Sequence, residues 1–348
     1  MCKARSSSAS TTLPSLQTKF SACSVLAGFV VLCVVNYLVT SGMGVRFSNT
    51  DIANTHPVFV LPVGWAFSIW GIIYLLEGIF SIYQALPSSM GGGLADERLE
   101  GARPLILGIY ACNVVWLFLF GYEAYWVASL VIVAYNYLLF KLIITLDVDY
   151  LSIATPLKTK LLVSAGFSCN ASWVTVASCL QLQVNLLEEG WAPSAALTAG
   201  QIAFAVAIAC TAVYRYADIA YAAVAAWTLG GIMVNQAASS TWGCASQICP
   251  ACAPGMDICE RDDTSVFAGR PNGFLSLCSG WNATLDDVCV VAKSDEVSGW
   301  ALAGIFAVLV ALMAGAVRGA LARRLKPDSD LPTKSMLTEG GATIHGSI

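Results

Sequence analysis

Apolar residues run along this chain in long, nearly unbroken stretches, not in short alternations. Eight stretches reach bilayer length: Phe20–Thr40, Val58–Ala85, Leu105–Tyr122, Ala124–Leu146, Leu161–Leu182, Ala195–Tyr214, Ile219–Gln236 and Trp300–Val317. About 20 apolar residues cross the hydrocarbon once as a helix, so each stretch predicts one transmembrane helix, and the first two are long enough to tilt. The division is least distinct between the sixth and seventh, which are alanine-rich and separated only by the charged link from Arg215 to Asp218. A membrane-spanning backbone must satisfy its own hydrogen bonds, as a helix or a closed barrel, and runs of this length do not alternate as barrel strands do. The predicted fold is all-α: a polytopic membrane bundle of about eight helices.

Composition removes the water-soluble alternative. Only 11% of the 348 residues are charged, where roughly 25% is usual for a soluble protein. Mean hydropathy is +0.69. No basic block points to nucleic acid, and the net charge of −4 names no partner. The only histidines are His56 and His345, which leaves little room for histidine acid–base chemistry or an HExxH zinc site. No P-loop, nucleophile–base pair or metal motif is visible, so a non-enzymatic protein without a cofactor is expected.

Charge also orients the bundle. With eight crossings both termini share a face, and 14 of the 18 Lys and Arg residues fall on it. Arg46, Arg261, Arg270 and Lys293 fall on the other. The positive-inside rule makes the face with the termini cytoplasmic. The chain then divides into a cytoplasmic tail (1–19), five helices (20–187), two more (188–237), a non-cytoplasmic loop (238–297), a last helix (298–318) and a second cytoplasmic tail (319–348).

The loop is polar and acidic, and holds six of the 13 cysteines: Cys244, Cys249, Cys252, Cys259, Cys278 and Cys289. An even set in a coreless loop on that face reads as disulfides in an oxidising compartment. Asn282-Ala283-Thr284 is a glycosylation sequon on the same side. Two metal readings compete. Cys249-Pro250-Ala251-Cys252 is a CxxC pair suited to zinc, and Cys244-x4-Cys249-x2-Cys252 has iron–sulfur spacing. Both need reduced thiols. The remaining cysteines, apart from Cys2, lie in spans and read as small packing residues. Met1–Phe20 is rich in Ser and Thr, with Lys3, Arg5, Lys19 and no acid, which fits either an organelle transit peptide or a tail. The sequon favours the secretory route, so an endomembrane or plasma-membrane location is expected, with an organelle membrane as the alternative.

The most informative stretch runs from His56 to Tyr74. Pro57 and Pro62 shape the approach to the second span, and Trp65 and Phe67 fall where aromatic rings anchor to headgroups. Trp70, Tyr74 and Glu77 follow on about one helical face. By themselves these features describe an interfacial anchor. In order, Gly64-Trp65-Ala66-Phe67-Ser68-Ile69-Trp70-Gly71, Asn113-Val114-Val115-Trp116 and Trp173-Val174-Thr175-Val176-Ala177 resemble motifs of the second, third and fifth helices of the TspO, or translocator protein, family. The form is similar to its longer members, the tryptophan-rich sensory proteins, and Ala226-Trp227-Thr228-Leu229-Gly230-Gly231-Ile232 resembles them too. The sequence departs where the family has a Pro-Tyr pair (Cys169-Asn170), a Met after the second-helix Tyr (Glu77) and a Leu-Asn (Leu180-Gln181).

The resemblance implies a five-helix core with three further helices, and a pocket for a small apolar ligand such as a tetrapyrrole or sterol. Trp65, Trp70, Trp116 and Trp173 would line it, with Asn113 and Asn170 orienting the ligand. The lipid bilayer and that ligand are the expected partners, and a homo-oligomer is compatible. In-span asparagines otherwise serve as interhelical hydrogen bonds, worth roughly 0.6–2 kcal/mol. Glu77 costs on the order of 2.5–3.5 kcal/mol at a helix centre, so it faces protein or water, or lies at the interface. Three functions follow: binding or transport of an apolar ligand, proton-coupled secondary transport through Glu77, or interaction with a partner through the cysteine-rich loop.

Overall fold

A computed structural model describes residues 15–56, 58–93, 96–146, 159–191, 194–237, 256–260, 287–292 and 294–325. Among them the chain forms nine α-helices: α1 (Leu16–Thr40), α2 (Asn49–Thr55), α3 (Ile69–Tyr83), α4 (Glu97–Gly121), α5 (Tyr125–Leu146), α6 (Ala165–Glu188), α7 (Ala195–Tyr216), α8 (Ile219–Gln236) and α9 (Asp295–Leu325). The protein is a polytopic helical bundle. Seven of the described segments are helices long and apolar enough to cross a membrane: α1, Gly64–Tyr83, α4, α5, Lys160–Glu188, α7 and Asp295–Arg318.

The eighth expected span, α8, is a helix of 18 residues but lies outside that set. At 1.5 Å per residue it is about 27 Å long, close to the hydrocarbon thickness. It packs among α6, α7 and α9. A helix with protein on three sides needs less lipid-facing apolar surface, so Thr228 and Asn235 are tolerated there. The turn between α7 and α8 is tight. Ala217 takes the left-handed conformation (φ 54°), and the Asp218 carboxylate caps α8 by accepting the Tyr221 N–H at 2.9 Å.

Helix boundaries differ from the apolar runs for local reasons. α1 begins at Leu16, not Phe20, because Ser15 Oγ accepts the Thr18 N–H at 3.0 Å. Val58–Ala85 is not one helix. A 3₁₀ turn, Gly64–Ser68, precedes α3, and the segment before it is irregular although Val58, Phe59 and Val60 are buried. Pro62 has no N–H to donate and a fixed φ. α4 starts at Glu97, ahead of the expected Leu105, capped by Asp96 and carrying Pro104 inside it. Arg103 is thereby buried, its Nε donating to Gln84 Oε1 at 3.0 Å. α9 outruns the expected Trp300–Val317 at both ends.

Helix α6 is the centre of the bundle. It packs against α3, α5, α7 and α8, and most of its 24 residues are buried. It is also the least apolar of the seven crossing segments, as expected of a helix that faces other helices instead of lipid. A π turn, Lys160–Ser164, leads into it.

Two short strands, β1 (Met256–Glu260) and β2 (Asp287–Ala292), pair antiparallel in the loop, with Ile258 opposite Cys289 and Cys259 opposite Val288. A bulge falls between Asp257 and Ile258. Cys244, Cys249, Cys252, Cys278 and Asn282 lie outside the described residues. The in-span cysteines Cys23, Cys33, Cys112, Cys169, Cys179 and Cys210 are free thiols.

Candidate functional site

A cavity of about 380 Å³ opens between α1, α4, α6 and α8, roofed by α2 and the irregular segment before α3. That volume is within the usual range for small-molecule sites. Its wall is aromatic. Phe67 meets Trp173 edge-on with centroids 5.4 Å apart, Trp70 meets Trp173 at 6.2 Å, and Trp116 stacks on Phe120 at 5.0 Å. Trp116 and Trp173 are both buried. Polar side chains also line the cavity: Asn36, Thr40, Asn49, His56, Gln181, Thr228 and Asn235.

The local sequence explains the roof. Ser48 and Asp51 form a capping box, with Ser48 Oγ accepting the Asp51 N–H at 3.2 Å and Asp51 Oδ2 accepting the Ser48 N–H at 2.9 Å. The loop before it docks on the end of α4, where the Arg46 and Phe47 N–H groups donate to Gly121 O. On the other side, α8 holds the lead-in to α3. Val63 N–H donates to Gly231 O at 3.1 Å, Asn235 Nδ2 to Leu61 O at 2.9 Å and Trp227 Nε1 to Ala66 O at 2.9 Å. A Cβ at Gly231 would come within 2.9 Å of Ala66 Cβ and 3.0 Å of Pro62 Cβ, so only glycine fits. The Trp227–Ile232 motif therefore seats the segment that roofs the cavity.

The seven residues expected at the site divide into three groups. Trp70, Trp116 and Trp173 line the cavity. Trp65 does not. The 3₁₀ turn aims it outward, where it is 47% exposed and packs edge-on against Trp227 at 4.7 Å. Glu77, Asn113 and Asn170 form a buried chain below the aromatic wall. Asn113 Nδ2 donates to Tyr135 Oη at 3.1 Å, Tyr135 Oη to Asn170 Oδ1 at 2.9 Å, and Asn170 Nδ2 to Glu77 Oε1 at 2.7 Å. This ties α4, α5, α6 and α3 together. Of the two placements open for Glu77, the structure takes the interior one.

Several site residues escape the sequence pattern. His56 is buried at the cavity edge, with Nδ1 2.8 Å from Ile52 O and Nε2 2.5 Å from Glu188 Oε1. The contact pins the end of α2 to the end of α6. A second network, Trp116 Nε1 to Gln181 Oε1 at 3.1 Å, Gln181 Nε2 to Asn185 Oδ1 at 2.9 Å and Asn185 Nδ2 to Ser129 Oγ at 2.7 Å, fixes the Trp116 ring. Only the run of polar residues in an otherwise apolar span, Gln181 to Asn185, signals it in sequence.

Fold and site together define a multi-pass membrane protein with an aromatic cavity between its helices. A family model described as TSPO-like protein matches residues 22–253, two-thirds of the chain, and the chain belongs to that family. The match takes in most of α1 and all of α2 to α8, and α9 lies beyond it. No curated protein and no solved structure matches.

Proposed function

We propose that this TSPO-like protein binds a small, flat, apolar molecule, a tetrapyrrole or a sterol, in the cavity beneath α2, without catalysing a reaction. The observation that carries this is a cavity lined by the rings of Phe67, Trp70, Trp116, Phe120 and Trp173 together with amide and hydroxyl side chains. Ring faces supply apolar contact at little entropic cost, and the amides receive one polar end. Titration of the purified protein with protoporphyrin IX and with cholesterol tests it. Trp116→Ala and Trp173→Ala each weaken binding of the true ligand class by about tenfold or more. Unchanged affinity in both removes this cavity as the site.

In this reading both termini are cytoplasmic, the loop of 238–297 faces an oxidising lumen or the exterior with its cysteines paired, and Asn282 is glycosylated. An endomembrane or the plasma membrane is the proposed location. A second reading, proton-coupled transport of the ligand, draws on the buried Glu77. Substrate movement indifferent to both the proton gradient and Glu77→Gln excludes it.

A further inference from the structure

Glu77 lies directly below the aromatic wall. Tyr74 is one turn back on α3, and Trp70 one turn further. Trp70 stacks on Tyr74 at 5.4 Å, and Tyr74 Oη accepts a hydrogen bond at 2.9 Å from Asn36, a cavity residue. On α6 the partner of Glu77, Asn170, is one turn before Trp173, which meets Trp70. Residues three and four apart share a helix face. The carboxyl therefore sits under the contact of two cavity walls and is joined to both.

It has no way out to the headgroups. A Cβ at Gly166 would lie 3.0 Å from Glu77 N and 3.1 Å from Glu77 Cγ, so α3 and α6 are in backbone contact there. Glu77 is 0% exposed, and snorkelling is closed to it. Oε1 accepts from Asn170, while Oε2 is buried with no partner. Among the described residues, the ionisable groups near it are Cys33 on α1, Tyr74 on α3, Tyr110 on α4, Tyr135 on α5 and Cys169 on α6, and none is a cation. Among the other charged groups on elements packed against α3, Lys19 is exposed at the start of α1, Lys160 opens the π turn without pairing with Glu77, and Glu188 is bonded to His56.

A carboxylate with one amide donor, one bare oxygen and no counter-charge among the described residues is an unstable arrangement in a low-dielectric interior. A proton on Oε2 resolves it by forming an O–H bond, and it returns to water when that bond breaks. We propose that Glu77 is a proton-binding site in the membrane interior, and that proton exchange there is felt at the cavity through Tyr74–Trp70 and Asn170–Trp173. The site stands whether the cavity's ligand is carried across the membrane or only held.

The test uses the full chain in phosphatidylcholine vesicles with no ligand, so it is independent of what the cavity binds. Infrared spectra are recorded across pH. The wild type shows a carboxylic-acid carbonyl band that comes and goes with pH and is missing from Glu77→Gln. Tryptophan emission follows the same midpoint in the wild type and is flat in the variant. Asn170→Leu keeps the carboxyl but removes its donor, and shifts the wavenumber of the band. Should Glu77→Gln not fold, an unmoved band in Asn170→Leu overturns the assignment. An infrared titration unchanged in Glu77→Gln overturns the site. Emission indifferent to the Glu77 titration overturns its link to the cavity. A band that follows NaCl at fixed pH overturns the proton in favour of a metal cation.

Discussion

At the residue scale, the polar side chains inside the helices divide by what their sequence neighbourhood reveals. Asn113 and Glu77 stand alone in apolar runs and Asn170 sits between serines in a buried span, where an unsatisfied group is costly, so each announces a partner. The identity of that partner is hidden. Tyr135 is the hinge of the chain between Asn113 and Asn170, yet a tyrosine in a span reads only as an aromatic. His56 gives no local signal, because its partner, Glu188, is 132 residues away. The family resemblance puts Trp65 on the cavity side, but the stretch that carries it is a 3₁₀ turn, and there the ring is half exposed against Trp227. Asp218 yields a prediction of its own. Burial raises its carboxyl above the ordinary carboxylate range, outweighing the bonds from Ser168, Tyr221 and Ala220 that favour its charged form. A raised folded-state value means that this contribution to stability is full below about pH 3.9 and is lost as pH rises through the folded value. Asn caps as well as Asp and carries no charge. Asp218→Asn in detergent should therefore melt increasingly above the wild type as pH rises from acid to neutral. Asp218→Ala should instead lose about 1 kcal/mol with the cap.

At the scale of the element, glycines mark where helices touch and where they do not. Gly166 brings α6 against the backbone of α3, and the obstructing atom, Glu77 N, cannot swing aside. Gly166→Val should cost about 1–3 kcal/mol by overpacking, read as a lower melting temperature. Gly101 in α4 has nothing within 4 Å of its missing Cβ. Gly101→Ala should therefore stabilise, by up to about 1 kcal/mol, through helix propensity. The sequence makes the two glycines look alike. Hydropathy locates the helices because lipid demands apolar surface over a fixed length, but it blurs their ends, where caps decide. It also passes over α2, a seven-residue helix between spans, although Ser48-x-x-Asp51 is a capping-box pattern.

At the scale of the whole molecule, α8 decides the topology. If it crosses, the bundle has an even number of passes and both tails share a face. If it does not, they are opposed. Epitopes at the two ends, tested for protease access in sealed vesicles, should respond together. Glycosidase should shift the wild type but not Asn282→Gln. The polytopic bundle and its family are legible in the sequence because the tryptophan motifs lie on the helices that build the cavity. The cavity itself is not, since its roof and rim come from α1, α2 and α8, far apart in the chain. The central position of α6 bears on how the protein is made. Its Ser168, Asn170, Thr175, Gln181, Gln183 and Asn185 depend on groups from other helices or from each other. During synthesis α6 emerges from the ribosome ahead of α7 and α8, too polar to rest comfortably in lipid. It must dock onto α3 and α5 as it enters, and the later helices then seal its remaining face. Insertion of this chain is thus a cooperative assembly around a late, polar core, and truncation after α6 should leave a product that the cell's quality control removes.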